Sequence, residues 1–231
     1  MPEKTEGMKN MYTLLFNVTK AGKRHRQKNI CCQDSAASFR SGSKAVAAVS
    51  DGCSSSMLSH IGSELCVRVF VETFSSFSEE ALRAFCSSKK SDTVIRDILS
   101  EAIDRAVKGT GTDHQALSAT LLGCIAVGDH ALIIHVGDGF AAGLRFGRIS
   151  ILSAPENRGS SDRTFFATSP GVCEHIRIRR VRGYRRLLLS TDGLSGMELQ
   201  KRMFVPDGLE DLICKNREKL RDDCGAVIIS T

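Results

Sequence analysis

Apolar and polar positions along this chain switch between two periods, near two and near 3.6 residues. Residues 12–19 are apolar and β-branched and predict a strand; residues 45–50 form a short apolar run ending in Asp51-Gly52. Residues 57–74 follow as a helix, with Leu58, Ile61, Leu65 and Val69 at helical spacing. The clearest helix covers 91–108. Ser91 is its expected N-cap, Val94, Ile95, Ile98, Leu99, Ala102, Ile103 and Ala106 form the stripe, and Gly109 ends it.

Beyond Leu117 the blocks shorten. Residues 117–127, 130–136, 140–145 and 148–152 predict the strands of an antiparallel meander, separated by Gly-Asp, Gly-Asp-Gly and Phe-Gly. Residues 154–170 are polar and irregular, a surface loop. Strands at 175–181 and 185–190, a helix at 208–219 and a strand at 224–229 complete the pattern. It predicts a single α+β domain over residues 1–231, a sandwich with helices packed outside the sheets. Residues 1–10 are expected to be flexible.

The composition changes this picture little. With 42% hydrophobic and 25% charged residues, the chain can bury a sizeable core. No apolar run approaches the roughly 18 residues of a membrane span, and no basic-then-apolar leader opens the sequence, so a cytoplasmic protein is expected. Nine cysteines without a CxxC pair favour reduced, mostly buried thiols over a zinc finger or disulfide frame. The net charge of +6 gathers in two clusters, residues 20–28 and the six arginines of residues 177–186. Such clusters attract phosphate in any form. With no Trp and two Tyr, stacking platforms are scarce, so nucleic acid is not the expected partner.

The chemistry lies in a repeated dipeptide. Three apolar strands end in Asp51-Gly52, Asp138-Gly139 and Asp192-Gly193; Asp222-Asp223 precedes the last strand, and Gln33-Asp34 follows the first basic cluster. A lone Asp-Gly is a turn signal, and Asp207-Gly208 is taken as one. Repetition at strand ends says more. Gathered carboxylates repel one another and are expensive to bury unpaired. A hard divalent cation removes that penalty, and oxygen-only ligands suit Mg²⁺ or Mn²⁺. Two such ions about 4 Å apart acidify a shared water and stabilise displacement at phosphorus. Spacing alone leaves two readings open: separate turns, or a metal-assisted hydrolase.

The ordered set is more specific. Gln33-Asp34, Val49-Ser50-Asp51-Gly52, Ser118-Ala119-Thr120, Val136-Gly137-Asp138-Gly139, Leu189-Ser190-Thr191-Asp192-Gly193-Leu194 and Asp222-Asp223 together resemble the metal-dependent serine/threonine phosphatases of type 2C, most of all a compact bacterial branch. The resemblance spans about residues 12–230. It implies a four-layer αββα sandwich, two mostly antiparallel sheets flanked by helices. It also implies two Mn²⁺ or Mg²⁺ ions. Asp51 resembles the carboxylate bridging both, and Gly52 the carbonyl ligand of one. Asp192 and Asp222 resemble ligands of the other, Asp34 the holder of metal-bound water, and Asp138 the ligand of a weaker third ion. A water or hydroxide bridging the metals would attack phosphoserine or phosphothreonine directly. The substrate would be a phosphorylated protein, opposed by a serine/threonine kinase, and residues 154–170 stand where the family carries a substrate-contacting flap.

The chain departs from the family pattern at its periphery. Gln33 stands where many members have Glu, and Asn29 where a phosphate-binding Arg is usual. His25 is the first substitute for that Arg, with Arg24 and Arg26 behind it. Cys53 and Ser54 replace a proton-donating His, which leaves acid assistance to metal-bound water or to a group such as His60. Gly196 replaces an acid that supports the third ion. Three functions therefore compete: an active phosphatase, a catalytically weak phosphatase-like module that binds phosphorylated partners, and a basic nucleic-acid binder.

Overall fold

The computed structural model describes residues 14–156 and 164–230. The expected flexible residues 1–10, and residues 157–163 of the expected loop, lie outside them. Two five-stranded sheets face each other, and every strand pair is antiparallel. The first has the order β1 (Leu14–Lys20), β10 (Cys224–Ser230), β9 (Arg186–Ser190), β6 (Phe140–Arg145), β7 (Arg148–Ser153). The second has the order β2 (Ser35–Ser41), β3 (Lys44–Ser50), β4 (Leu121–Val127), β5 (His130–Val136), β8 (Arg177–Arg182).

The inner strands are buried on both faces, which explains their continuous apolar runs. Along β3, Ala45, Ala47 and Val49 point into the core between the sheets, where they join Leu122, Ile133, Leu189, Val227 and Ile229. Val46 and Ala48 point the other way, toward α2 (Ser59–Ser75), α3 (Glu79–Ser87) and α4 (Asp92–Gly109), packing with Phe70, Leu82 and Leu99. On the outer face of the first sheet Leu188, Ala226 and Ile228 pack with Leu209, Leu212 and Ile213 of α5 (Pro206–Lys215). The order of layers is helix, sheet, sheet, helix, as expected.

Several local expectations are corrected. Ser91 does not cap α4 with its side chain; its hydroxyl donates to Ser88 O at 2.7 Å in a preceding 3₁₀ turn. Residues 117–120 are not strand but cross toward Asp51, with Ala119 bridging Gly52. The meander is not one sheet: β4 and β5 lie in the second sheet and β6 and β7 in the first, so the chain changes sheets at Gly137-Asp138-Gly139. Gly137 has φ +119°, a conformation other residues rarely adopt. Three elements carry no expectation at all: β2, α3 and the five-residue helix α1 (Lys23–Gln27).

Candidate active site

The strand register brings the acids to one end of the sandwich. Ser35 pairs with Ser50, so Asp34 and Asp51 sit side by side where β2 begins and β3 ends. Ser190 pairs with both Phe140 and Ala226, which sets Asp192 beside Asp138 and beside the start of β10, where Asp222 and Asp223 stand. Five segments far apart in sequence thus deliver carboxylates to the shared edge of two sheets.

Their electrostatics confirm the gathering. Asp34 is buried, accepts a hydrogen bond from Thr191 Oγ1 at 2.6 Å and shares one with the Asp51 carboxyl. Loss of water, then the charge of Asp223 and Asp192, lifts its carboxyl to about 7. Asp51 rises well above the ordinary range, through desolvation first and then Asp34, Asp192 and Asp138. Asp192 is lifted to about 7 by desolvation and the charges of Asp138 and Asp222, and Asp138 is raised by desolvation foremost. Each acid resists ionising first because it has lost water and then because other carboxylates are close.

The backbone around them is tightly fixed. Asp51 N donates to Thr120 Oγ1 and Thr120 N donates to Asp51 O, both at 2.9 Å. Gly52 N donates to Gln33 O at 3.2 Å, and a Cβ on Gly52 would stand 2.7 Å from Gln33 O and Ser59 O. A Cβ on Gly193 would fall 1.9 Å from Asp223 O. Only glycine lets these chains approach.

His25 is drawn to the edge of this floor. Its Nδ1 lies 2.8 Å from Asp223 Oδ2, which also accepts from Gln33 N at 2.5 Å, while Asp223 Oδ1 accepts from Gly22 N at 2.7 Å. Arg26 is not presented to the floor: its guanidinium donates to Ala21 O and Arg217 O and pairs with Glu218 at 3.1 Å. That replaces the expected phosphate contact with a clasp on the loop after α5. His60 lies in the first turn of α2, where its carbonyl accepts from Ser63 Oγ. Sequence reasoning gave no role to Asp223, Thr120 or Thr191. All three stood inside the quoted motifs, but nothing there separates a structural oxygen from a ligand.

Among the described residues, no three His, Cys, Asp or Glu side chains stand close enough to enclose an ion unaided. The donor chemistry fits a hard cation all the same. Asp34 Oδ1 and Asp138 Oδ1 are buried with no partner, and a buried carboxylate oxygen left empty needs one. Every candidate donor is oxygen, and hard cations that keep several waters require few protein ligands.

The fold matches those of known proteins. The family described as protein phosphatase 2C matches residues 21–223. The Staphylococcus aureus serine/threonine phosphatase Stp1 superposes with a TM-score of 0.68 at 13% identity, over 99% of both chains. The S. agalactiae serine/threonine phosphatase gives 0.69 at 18%, over 94% of this chain and 99% of its own. The catalytic domain of the serine/threonine phosphatase PstP, in complex with 2 manganese ions, gives 0.64 at 16%, over 94% and 97%. No curated protein matches the chain in sequence.

Proposed function

The chain belongs to the protein phosphatase 2C family and is a protein-serine/threonine phosphatase; from that premise we propose that it uses two divalent cations held on the acid floor. Asp51 would be shared between them, with the Gly52 carbonyl on one side and Asp192 and Asp222 on the other; Asp138 would serve a weaker third. Manganese or magnesium fits the all-oxygen donors, and a manganese-bound relative supports this. Bound there, such ions supply an acidified water and neutralise phosphate oxygens.

The remaining work falls to the chain. Thr191 holds one oxygen of Asp34 and leaves Oδ1 free to accept a proton from the attacking water. Asp223 fixes the Nδ1 edge of His25, which leaves the other ring edge for a phosphate oxygen. Rigid strand ends keep these groups in place before substrate arrives. No helix among the described residues is long and apolar enough to cross a membrane.

The observation that carries this reading is the convergence of Asp34, Asp51, Asp138 and Asp192 at one end of the two sheets, with Asp34 Oδ1 and Asp138 Oδ1 buried and without a partner. The test is hydrolysis of p-nitrophenyl phosphate and a phosphothreonine peptide with Mn²⁺. Turnover should vanish with chelator and fall about a thousandfold or more in Asp51→Asn. Turnover indifferent to both would overturn it.

A further inference from the structure

Beyond the acid floor, uncompensated charge gathers where α1 packs on the loop after α5. Lys23 N donates to Leu220 O at 2.8 Å and Arg24 N to Arg221 O at 3.5 Å, clamping the two segments together. Lys23, Arg24, Arg217, Lys219 and Arg221 on these joined segments are all exposed, as is Lys20 at the end of β1. None of these six side chains has an acidic partner among the described residues. Nearby acids are already engaged: Glu218 pairs with Arg26 at 3.1 Å and Asp211 with Lys215 at 2.7 Å. Glu198 lines the neighbouring hollow with Lys219, and Asp222 stands at the edge of the face beside Gly22.

This face is shaped as well as charged. A cavity of about 270 Å³ opens in it, lined by Lys20, Arg26 and Arg217 around Ala21, Ile213 and Leu220. It also adjoins the acid floor. A Cβ on Gly22, which precedes α1, would stand 2.2 Å from the Asp222 carbonyl carbon, so the basic face begins where the floor ends. Like charges on segments bonded together repel one another, and an anion laid across them removes that cost. Among the described residues, no aromatic side chain that could stack on a base lines the cavity.

We propose that this face binds acidic residues flanking the phosphorylated side chain, so that the favoured substrates are phosphoserine or phosphothreonine segments rich in Asp and Glu. The proposal rests on the phosphatase reading and adds the substrate class to it. Flanking carboxylates would lie over Lys20, Lys23 and Lys219 while the phosphate reaches the floor beside His25.

The test compares two phosphothreonine peptides of equal length, one flanked by Asp and Glu and one by Ser and Gly. The acidic peptide should show a kcat/KM about tenfold higher at low salt, with the gap closing as ionic strength rises. The triple variant Lys20→Glu, Lys23→Glu, Lys219→Glu should lose the preference while hydrolysing p-nitrophenyl phosphate within twofold of the parent. Anisotropy of a labelled, unphosphorylated acidic peptide reads the face without catalysis. Salt-sensitive binding with no turnover on any substrate overturns the phosphatase reading and supports the face. Turnover without the acidic preference, or a preference that survives the triple variant, overturns the face alone. Tighter capture of an RNA oligomer or an anionic vesicle than of the acidic peptide, at equal salt, also overturns it.

Discussion

Asp223 shows how much a single carboxylate can organise. It is buried, and its two oxygens receive three donors from the segment before β2: Gly22 N, His25 Nδ1 and Gln33 N. Asn in its place has one oxygen and one NH₂ group, so whichever way the amide turns, at least one of those donors faces another donor. Asp223→Asn should therefore destabilise the fold by about 1–3 kcal/mol. His25 should also lose its anchor, raising KM for phosphopeptides; thermal melts and steady-state kinetics read the two effects. An unchanged melting temperature would show that Asp223 does not hold the segment. The sequence displayed Asp222-Asp223 as one acidic spot. Which of the two faces the floor and which faces the backbone depends on strand register, and neighbours of identical chemistry carry no mark of it. Asp51, Asp138 and Asp192 were legible because each follows an apolar strand and precedes a glycine, whereas Asp34 showed only as an acid after the first basic cluster, since β2 carries little apolar signal. Arg26 was misplaced because a basic cluster says nothing of which member turns toward which neighbour.

At the scale of elements, Arg177 at the start of β8 fastens the two sheets beside the Asp138 turn. Its guanidinium donates to Ala154 O at 2.7 Å, Gly137 O at 3.1 Å and His135 Nδ1 at 3.0 Å, and it pairs with Glu156 at 2.8 Å. Arginine only donates, so His135 must accept at Nδ1, and Ser153 Oγ lies 2.8 Å from the same atom. Burial, then the adjacent Arg177 charge, lowers the imidazole to about 3. The unfolded chain binds a proton near 6.5 that the folded chain refuses until about 3, so this residue's contribution to stability falls as pH drops through that window. The loss is about 1.4 kcal/mol per pH unit. His135→Asn should flatten the acid limb of the melting curve between pH 6 and 4 relative to the parent; identical slopes would refute the buried neutral ring. The arrangement was not legible, because the pattern of residues 117–152 is that of one meander and the change of sheet at Gly137-Asp138-Gly139 leaves no trace in hydrophobicity. β2 was missed for a related reason: Ser-Ala-Ala-Ser-Phe-Arg-Ser is a half-exposed edge strand with little apolar signal. α3 buries only Leu82 and Cys86, too short a stripe to stand out, although Ser78 caps it through a 3.2 Å bond from Ala81 N.

For the whole molecule, the four layers follow from strands that are apolar on both faces, and the floor follows from where those strands stop. Folding the metal-free chain forces like charges together at that edge. Asp34 and Asp192 are held near 7, above the ordinary 3.8, so between those values the folded chain binds more protons than the unfolded one. Without metal, their contribution to stability falls as pH rises through that window. Cations should reverse the cost. A site filled at a hundred times its dissociation constant adds about 2.7 kcal/mol, and each kcal/mol moves the midpoint of a chain this size by about 2–4 °C. Saturating Mn²⁺ at pH 7.5 should therefore raise the melting temperature by at least about 5 °C over the chelated protein. Asp51→Asn separates the two contributions, since it removes a repelling charge and a shared ligand together. The variant should melt higher than the parent in chelator, respond little to Mn²⁺, and be inactive in both. If it instead melted lower in chelator and kept the full Mn²⁺ response, Asp51 would be neither strained by its neighbours nor the carboxylate that the ions share.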